Sequence, residues 1–371
     1  MRKWIALLTA GLLSVGLTGY QSAENSVEQT EQTGNAETAA NEQTEQTADA
    51  EAAAKEQTEQ TDDAETAVNE QAAESEELQN EWETDSDSES ESEGEKEVEE
   101  VAVKTVSDGT MEMDYCVFGS GDRSFVIIPG LSVHSVMGSA DAIAGAYSDF
   151  TDDYTVYVFD RAKNIQEGYT VRDMADDTAA AMEALGLSAA DVFGASQGGM
   201  IAQYLAIDHP ELVNKLILGS TLAKPNDTFQ AVAGEWITLA EEKDETGLLE
   251  SFVDSVYSEA TLKDYRDTLI SSNRGITDEE YERFLILTKA CLSFDSSAEL
   301  SKIQCPVLVL GCEGDQVVTA EGSRQLAEAL DCELYLYEDS YGHGVYDEAP
   351  DYRQRCLDFL GESDAEQGEA Q

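Results

Sequence analysis

One serine, Ser196, is flanked by glycines in a pattern that suits nucleophilic chemistry. Its surroundings read Gly194-Ala195-Ser196-Gln197-Gly198-Gly199, after the strand-like residues 191–193 and before an apolar, helix-like stretch. Between a strand and a helix, this pattern is typical of a tight turn in which the serine is strained and the glycines prevent clashes. The hydroxyl then lies at a helix N-terminus, which favours developing negative charge. We expect Ser196 to be a nucleophile; the alternative is a glycine-rich turn without catalysis.

Three histidines could serve as the base that a serine hydroxyl needs. His343 follows the last predicted strand, and a loop at the carboxyl end of a strand is where such a base belongs. His209 lies at the far end of the helix that follows Ser196, roughly 15–20 Å away at ~1.5 Å per residue. His134 is in a loop near the site but comes too early in the chain. We expect His343 to be the base and His209 to be structural.

An acid is expected between the serine and the histidine in sequence. Asp315 follows the glycine that ends the apolar run 307–311, and it is the best candidate. Its role would be to hold the tautomer of the imidazole and to stabilise the imidazolium. Glu313 is the rival. Asp339 and Asp347 flank the histidine too closely and are expected to be solvated loop charges.

These residues need a framework, and the pattern of apolar runs from residue 101 onward predicts one. Strands are predicted near 101–106, 111–118, 124–128, 155–159, 191–193, 215–218, 307–310 and 333–337, and helices at about 171–185, 198–207 and 349–360. The inner strands are continuous apolar runs, as buried parallel strands are. Alternating strands and helices predict an α/β fold with a doubly wound, mostly parallel sheet.

One segment, residues 222–300, interrupts this alternation, because it contains no convincing strand. It is predicted to be a helical insertion over one end of the sheet. Its aromatic residues include Trp236, Phe252, Tyr257, Tyr265, Tyr281 and Phe284. We expect most of them to pack in the core rather than to contact a ligand.

From about Met111 to Leu360 the chain resembles the α/β-hydrolase superfamily, in its single-domain, lidded branch. The matching landmarks stand in order along the chain: Ile127-Ile128-Pro129-Gly130, Phe159-Asp160-Arg161, Gly194 to Gly199, His209-Pro210, Gly311 to Asp315, and Gly342-His343. The resemblance implies the chain order of serine, acid and histidine that Ser196, Asp315 and His343 follow.

The resemblance also implies an oxyanion hole made of two backbone amides, those of Gln197 and Leu131. The chain departs from the family where Pro129-Gly130 replaces the usual His-Gly pair, which changes the shape of the loop that carries Leu131. The implied mechanism is two-step acyl transfer on an ester-like carbonyl of a small-molecule substrate. It requires no metal and no organic cofactor.

Several functions stay open at this point. Carboxylic-ester hydrolysis is the leading hypothesis, and acyl transfer, C–C bond hydrolysis, lactone hydrolysis, aminopeptidase action or perhydrolysis would use the same three residues. A binding protein that has lost turnover is a different class. A further alternative is a surface interaction protein whose acidic repeats are the functional part.

The N-terminus is typical of a bacterial export signal. Arg2 and Lys3 precede an apolar run from Ile5 to about Leu17, which is shorter than the ~20 residues of a spanning helix. Leu17-Thr18-Gly19 resembles the end of a lipoprotein signal, but Tyr20 stands where the lipid-accepting cysteine would be. We predict a signal peptide at 1–19 and export, with membrane contact only through an uncleaved leader or in a lipidated parent form.

Residues 20–100 are predicted to be a disordered acidic linker. A 14-residue repeat starts at Glu28, Glu42 and Glu56, and residues 24–100 hold 28 acidic and two basic residues. Its apolar residues are mostly alanine, which cannot offset the entropy of ordering. The whole chain has a net charge of −57, which excludes nucleic acid as a plausible partner and disfavours strongly anionic substrates. Residues 101–371 form the predicted hydrolase domain.

Six cysteines, Cys116, Cys291, Cys305, Cys312, Cys332 and Cys356, lie in that domain. An even number in an exported protein is compatible with disulfides. Cys305 and Cys332 each precede a predicted strand and are the first candidates for a pair, while buried free thiols are equally compatible with the sequence. The cysteine and histidine spacings do not predict a metal site.

Overall fold

The computed structural model describes residues 100–361 of the chain. The predicted signal peptide and nearly all of the predicted acidic linker lie outside the described residues. Within the described part, no helix is both long and apolar enough to cross a membrane.

The described residues form one eight-stranded sheet. Its strands are β1 (Val103–Ser107), β2 (Glu112–Phe118), β3 (Arg123–Ile128), β4 (Tyr154–Ala162), β5 (Ala190–Ala195), β6 (Val213–Gly219), β7 (Val307–Cys312) and β8 (Glu333–Tyr337). Their order is β1-β2-β4-β3-β5-β6-β7-β8. β2 is antiparallel to β1 and β4, and every other pairing is parallel. The predicted mostly parallel α/β sheet is confirmed.

Ten α-helices accompany the sheet within residues 100–361. They are α1 (Ala140–Ala146), α2 (Val171–Ala184), α3 (Gln197–Asp208), α4 (Asp227–Glu241), α5 (Glu245–Val256), α6 (Glu259–Ser272), α7 (Asp278–Leu292), α8 (Thr319–Leu330), α9 (Val345–Glu348) and α10 (Tyr352–Gly361). The sequence analysis did not anticipate α1 and α8. It also predicted one final helix over 349–360. The structure instead has two, because Pro350 lacks an amide hydrogen and Ala349 before it is extended.

The sheet is buried on both faces. Along β3, Phe125 and Ile127 belong to one apolar cluster, whereas Val126 and Ile128 belong to another. This alternation places the two clusters on opposite faces of the sheet. It explains why the inner strands are continuously apolar in sequence.

The predicted helical insertion over 222–300 is confirmed as helices α4 to α7, with no strand in that range. We refer to these four helices as the lid. Each begins at a polar residue whose side chain accepts a hydrogen bond from the first turn, namely Asn226, Asp244, Ser258 and Thr277. These N-caps fix where each helix starts and therefore where its apolar residues face.

Candidate active site

Ser196 lies at the turn between β5 and α3, at the carboxyl edge of the sheet. Its backbone has φ 53° and ψ −117°, in the region that non-glycine residues rarely adopt. A Cβ atom on Gly198 would lie 1.8 Å from the carbonyl oxygen of Ile128, and one on Gly194 would lie 2.4 Å from that of Gly198. The two glycines are therefore required by close backbone approach, as the sequence pattern predicts.

The structure brings the three predicted side chains together. His343 Nε2 lies 2.9 Å from Ser196 Oγ, and His343 Nδ1 lies 2.9 Å from Asp315 Oδ2. Ser196 is 8% exposed, His343 3% and Asp315 6%. The three residues follow different strands of the parallel sheet, β5, β7 and β8, whose carboxyl ends lie along one edge. The arrangement can carry a proton from the hydroxyl to the imidazole.

Asp315 is held as an ionised acceptor. Its Oδ1 accepts hydrogen bonds from the amides of Val317 and Val318 at 2.8 and 2.9 Å. Burial by itself would raise the pKa of Asp315, but His343 and these two amides outweigh it and hold that pKa below its usual value. The carboxylate is thus fixed in orientation and charge toward the imidazole.

The other acids near the histidine have different environments. Glu313 is exposed and pairs with Arg324, so it is not positioned as the acid. Asp339 is exposed, as expected. The expectation for Asp347 was wrong: its Oδ2 is buried without a hydrogen-bond partner in the described chain, and burial raises its pKa to about 7. Short helix α9 turns this carboxylate inward, which the loop-like sequence does not indicate.

The remaining two histidines have structural contacts. His134 Nδ1 lies 2.7 Å from Glu280 of the lid, and its Nε2 lies 2.8 Å from the carbonyl oxygen of Asn273. His209 Nε2 lies 2.9 Å from Asp176. His134 therefore joins the loop after β3 to the lid.

The two residues expected to form the oxyanion hole, Gln197 and Leu131, both line the cavity beside Ser196. Neither backbone amide has a hydrogen-bond acceptor within residues 100–361. Gly130 approaches the serine closely, since a Cβ on it would lie 3.3 Å from Ser196 Cβ. The Pro129-Gly130 loop thus packs directly against the serine.

Arg161 is a site residue that the sequence analysis named only as a landmark. Its Nη2 donates to the carbonyl oxygen of Pro129 at 2.5 Å, and its Nε donates to Gln197 Oε1 at 3.1 Å. Burial lowers the pKa of this guanidinium to about 10. The signal that could have identified it is a charged pair, Asp160-Arg161, at the end of an apolar strand. One buried side chain therefore joins both segments of the expected oxyanion hole.

Asp160 connects the same region to the lid. Its Oδ1 accepts from the backbone amide of Arg161 and from Arg283 Nη2, each at 2.7 Å. Its Oδ2 accepts from Ser135 Oγ at 2.5 Å. Burial opposes ionisation, but Arg283 and these hydrogen bonds keep the pKa of Asp160 below its usual value.

A narrow cavity opens beside the serine. The cavity has a volume of about 30 Å³. Its lining consists of Gly130, Leu131, Ser196, Gln197, Met200, Phe229, Trp236, Phe252, Val256, Tyr257, Cys291, His343 and Tyr346. Among the lid aromatics, Phe229, Trp236, Phe252 and Tyr257 line the cavity, while Tyr281 and Phe284 are buried in packing. The set contains no lysine, arginine, aspartate or glutamate.

The six cysteines are unbonded in the structure. The first candidate pair, Cys305 with Cys332, was wrong although β7 and β8 are neighbours. Leu308 lies opposite Glu333, so Cys332 falls opposite Val307 rather than Cys305. Within residues 100–361, no cluster of three or more histidine, cysteine, aspartate or glutamate side chains could hold a metal ion.

Comparison with known proteins identifies relatives of this domain. The family model for the alpha/beta hydrolase fold matches residues 125–350. The carbamate hydrolase RutD of Caulobacter sp. is 29% identical over 209 residues, which are 54% of this chain and 75% of that protein. The 3-oxoadipate enol-lactonase 2 of Acinetobacter baylyi is 25% identical over 234 residues, 61% of this chain and 84% of that protein.

A solved structure shows the same fold. It is that of MGS-M2, an alpha/beta hydrolase enzyme from a Medee basin deep-sea metagenome library, which matches with a TM-score of 0.63 at 21% identity. The match covers 70% of this chain and 98% of that one.

Proposed function

Because the chain belongs to the alpha/beta hydrolase fold family, we propose that it is a serine hydrolase that cleaves an ester-like bond through an acyl-enzyme on Ser196. The observation that carries the proposal is the continuous hydrogen-bonded series from Asp315 through His343 to Ser196, with both distances at 2.9 Å. The series ends at a strained serine beside a narrow cavity whose lining is mainly apolar.

The first half of the reaction forms the acyl-enzyme. His343 Nε2 accepts the Ser196 proton while Oγ attacks the substrate carbonyl carbon, whose π electrons move to oxygen. The amides of Gln197 and Leu131 stabilise that oxyanion, and loss of one such donor typically costs about 2.7–4 kcal/mol. The tetrahedral intermediate then collapses, and the leaving alcohol takes the proton from His343.

The second half releases the acid. His343 removes a proton from a water molecule, whose oxygen attacks the acyl carbon. Collapse of this second intermediate breaks the bond to Ser196 Oγ, and the imidazolium returns its proton to the serine. Asp315 stays ionised throughout and stabilises the imidazolium each time it forms.

Lactone or carbamate cleavage is a second candidate, favoured by the names of the relatives. An enol-lactonase and a carbamate hydrolase are both among them. Both substrates present an electrophilic carbonyl with an oxygen or nitrogen leaving group, so the same series of side chains would act.

We also propose that the protein is exported and acts outside the membrane. The leader at 1–19 supports export, and the acidic residues 20–100 would hold the enzyme away from the cell surface as a spacer. We expect a small-molecule acyl substrate and no nucleic acid partner, given the net charge of −57. Cell fractionation tests this placement: full-length protein in the cytosol with its leader intact would contradict it.

A panel of substrates tests the activity. The full-length chain is assayed with 4-nitrophenyl esters of increasing acyl length, with a γ-lactone and with an aryl carbamate. We expect turnover of short esters that disappears in Ser196→Ala. Turnover that persists in Ser196→Ala would refute the nucleophile, and faster cleavage of the lactone or the carbamate would favour the second candidate.

A further inference from the structure

Hydrogen bonds fix the loop that carries His343 on both sides of the histidine. The amide of Gly342, directly before it, donates to Glu348 Oε2 at 2.6 Å. The amide of Gly344, directly after it, donates to the carbonyl oxygen of Val256 at 2.8 Å. Val256 is the last residue of lid helix α5, and Glu348 is the last residue of α9. The backbone of the base is therefore held by one lid carbonyl and one carboxylate.

The Glu348 carboxylate also contacts the lid. Its Oε1 accepts hydrogen bonds from both the amide and the hydroxyl of Ser258, at 2.9 and 2.7 Å. Ser258 is the N-cap of lid helix α6. One carboxylate thus joins the start of a lid helix to the amide of Gly342, and we call this arrangement the Glu348 bridge. Hydrogen bonds to a carboxylate are shorter and stronger than those between neutral groups, which favours a well-fixed bridge.

The histidine loop and the lid are also in close backbone contact. A Cβ atom on Gly342 would lie 2.7 Å from the carbonyl oxygen of Val256 and 2.8 Å from the amide nitrogen of Ser258. Glycine, which has no Cβ, allows two backbones to approach this closely. The loop therefore lies directly against residues 256–258 of the lid, and the Glu348 bridge holds it there.

Small displacements of His343 matter, because both of its ring nitrogens contact catalytic groups. Nε2 lies 2.9 Å from Ser196 Oγ, and Nδ1 lies 2.9 Å from Asp315 Oδ2. A misplacement of about 1 Å can lower a rate by about 10²-fold. Within residues 100–361, the Glu348 carboxylate forms its hydrogen bonds to none of these three side chains. Its hydrogen bonds reach the reaction through the backbone of the histidine loop.

The lid has other attachments that do not involve Glu348. Arg283 of α7 donates to Asp160 at 2.7 Å, and Asn226 at the start of α4 donates to the carbonyl oxygen of Val318 at 2.7 Å. A change at Glu348 should therefore release the histidine loop while the walls of the cavity keep their place. Release of the loop lowers kcat for every ester, whereas movement of the walls changes KM and the preference among esters.

We propose that Glu348 is a positioning residue, which holds the His343 loop against residues 256–258 and so keeps the imidazole within reach of Ser196. This role rests on the proposed serine hydrolase function. Because Glu348 acts through the base, it contributes equally to the cleavage of every substrate and takes no part in choosing among them.

Glu348→Met in the full-length chain removes both acceptor oxygens at nearly constant side-chain length. With 4-nitrophenyl acetate and butanoate, we expect kcat to fall about 10–100-fold and KM to stay within about twofold. The ratio of kcat/KM between the two esters should stay within about twofold of the wild-type ratio. Labelling of Ser196 by a fluorophosphonate probe should slow to a similar extent, because it also requires His343 to take the serine proton.

Glu348→Gln is the conservative variant. Its amide oxygen still accepts a hydrogen bond on one side of the bridge, so its kcat should lie between those of Glu348→Met and the wild type. Glu338→Met is the matched control, because Glu338 is exposed and lies on the other side of His343 in sequence. Its kcat should be unchanged.

Ser258→Ala tests the bridge from the lid side and decides the outcome if the Glu348 variants do not fold. It removes the hydroxyl that donates to Glu348 at 2.7 Å, and kcat should fall about threefold to fivefold. Since Ser258→Ala also removes the N-cap of α6, its control is Asp244→Ala, which removes the N-cap of α5. That control should keep the wild-type kcat.

Wild-type kcat in folded Glu348→Met or in Ser258→Ala would overturn the positioning role. A rise in KM or a changed ester preference at constant kcat would overturn it as well, because the carboxylate would then shape the cavity instead. Wild-type protein that neither hydrolyses these esters nor takes the label would contradict the proposed function itself, and the positioning role with it.

Discussion

The turn at residues 194–199 and the lid face the same cavity, yet they are specified in different ways. At the turn, backbone contact dictates the residue types, because a Cβ on Gly198 would lie 1.8 Å from the Ile128 carbonyl oxygen. In the lid, side chains from separate helices combine, such as Trp236 of α4 with Phe252 of α5. The difference suggests that the turn determines the reaction and the lid determines the substrate.

The largest effect is expected from Asp315→Asn, because Asp315 acts through His343 on the serine of the turn. Loss of the carboxylate removes the group that fixes the tautomer of His343, and kcat should fall by about 10⁴-fold while the fold is retained. Steady-state kinetics and circular dichroism measure the two properties. Glu313→Gln is the matched control, because Glu313 is exposed and faces Arg324, and its kcat should be unchanged. A similar loss in both variants would contradict the assignment of the acid.

A smaller effect is expected from Arg161→Met, because Arg161 joins the turn to the loop after β3. This change removes the hydrogen bonds to Pro129 and Gln197 and should loosen both segments that carry the proposed oxyanion donors. We expect kcat to fall about 10–100-fold with little change in KM, because misplacement of such donors affects the transition state. Arg266→Met, at a half-buried lid arginine paired with Asp254, serves as the control. A rise in KM alone would show that Arg161 acts in substrate binding instead.

On the lid side, Phe229→Leu should alter selectivity more than rate. The smaller side chain widens the cavity, so preference should shift toward longer acyl chains by about threefold to tenfold in kcat/KM ratios. Initial rates with 4-nitrophenyl esters of increasing length measure the shift. If all esters slow by one common factor, the lid does not select the acyl group through this residue.

The smallest effect concerns stability and comes from Asp347→Asn. Burial raises the pKa of Asp347 in the folded protein to about 7. Between roughly pH 4 and 7 the folded protein therefore keeps this proton, whereas the unfolded chain releases it. Stability should therefore decline as pH rises through this window, by up to about 1.4 kcal/mol per pH unit. The variant should lose that part of the pH dependence, as measured by urea unfolding at pH 5 and pH 8. An unchanged slope would show that the carboxyl is hydrated.

Much of the fold and of the turn could be predicted from sequence because the signals are local. Ser196 is marked by the glycines that its backbone requires, and His343 by the small number of histidines and its place after a strand. Pro350 in the sequence also indicates a break between α9 and α10, but that break was not predicted.

The cavity and the burial of single side chains could not be predicted, because they depend on residues far apart in sequence. Gly130, Trp236 and Tyr346 come from a loop, the lid and α9, and they line one cavity only in the folded domain. Asp347 lies in the short helix α9, whose inward orientation is decided by packing. Cys305 and Cys332 are not bonded because the register between β7 and β8 does not place them opposite each other. Spacing along the sequence does not determine that register.

The most direct test of the central claim is covalent labelling with a fluorophosphonate probe, mapped by mass spectrometry. The account predicts one label on Ser196 in the folded wild-type chain, none in Ser196→Ala and much slower labelling in His343→Ala. Folded wild-type protein that takes no label, or that takes it on another residue, would contradict the account.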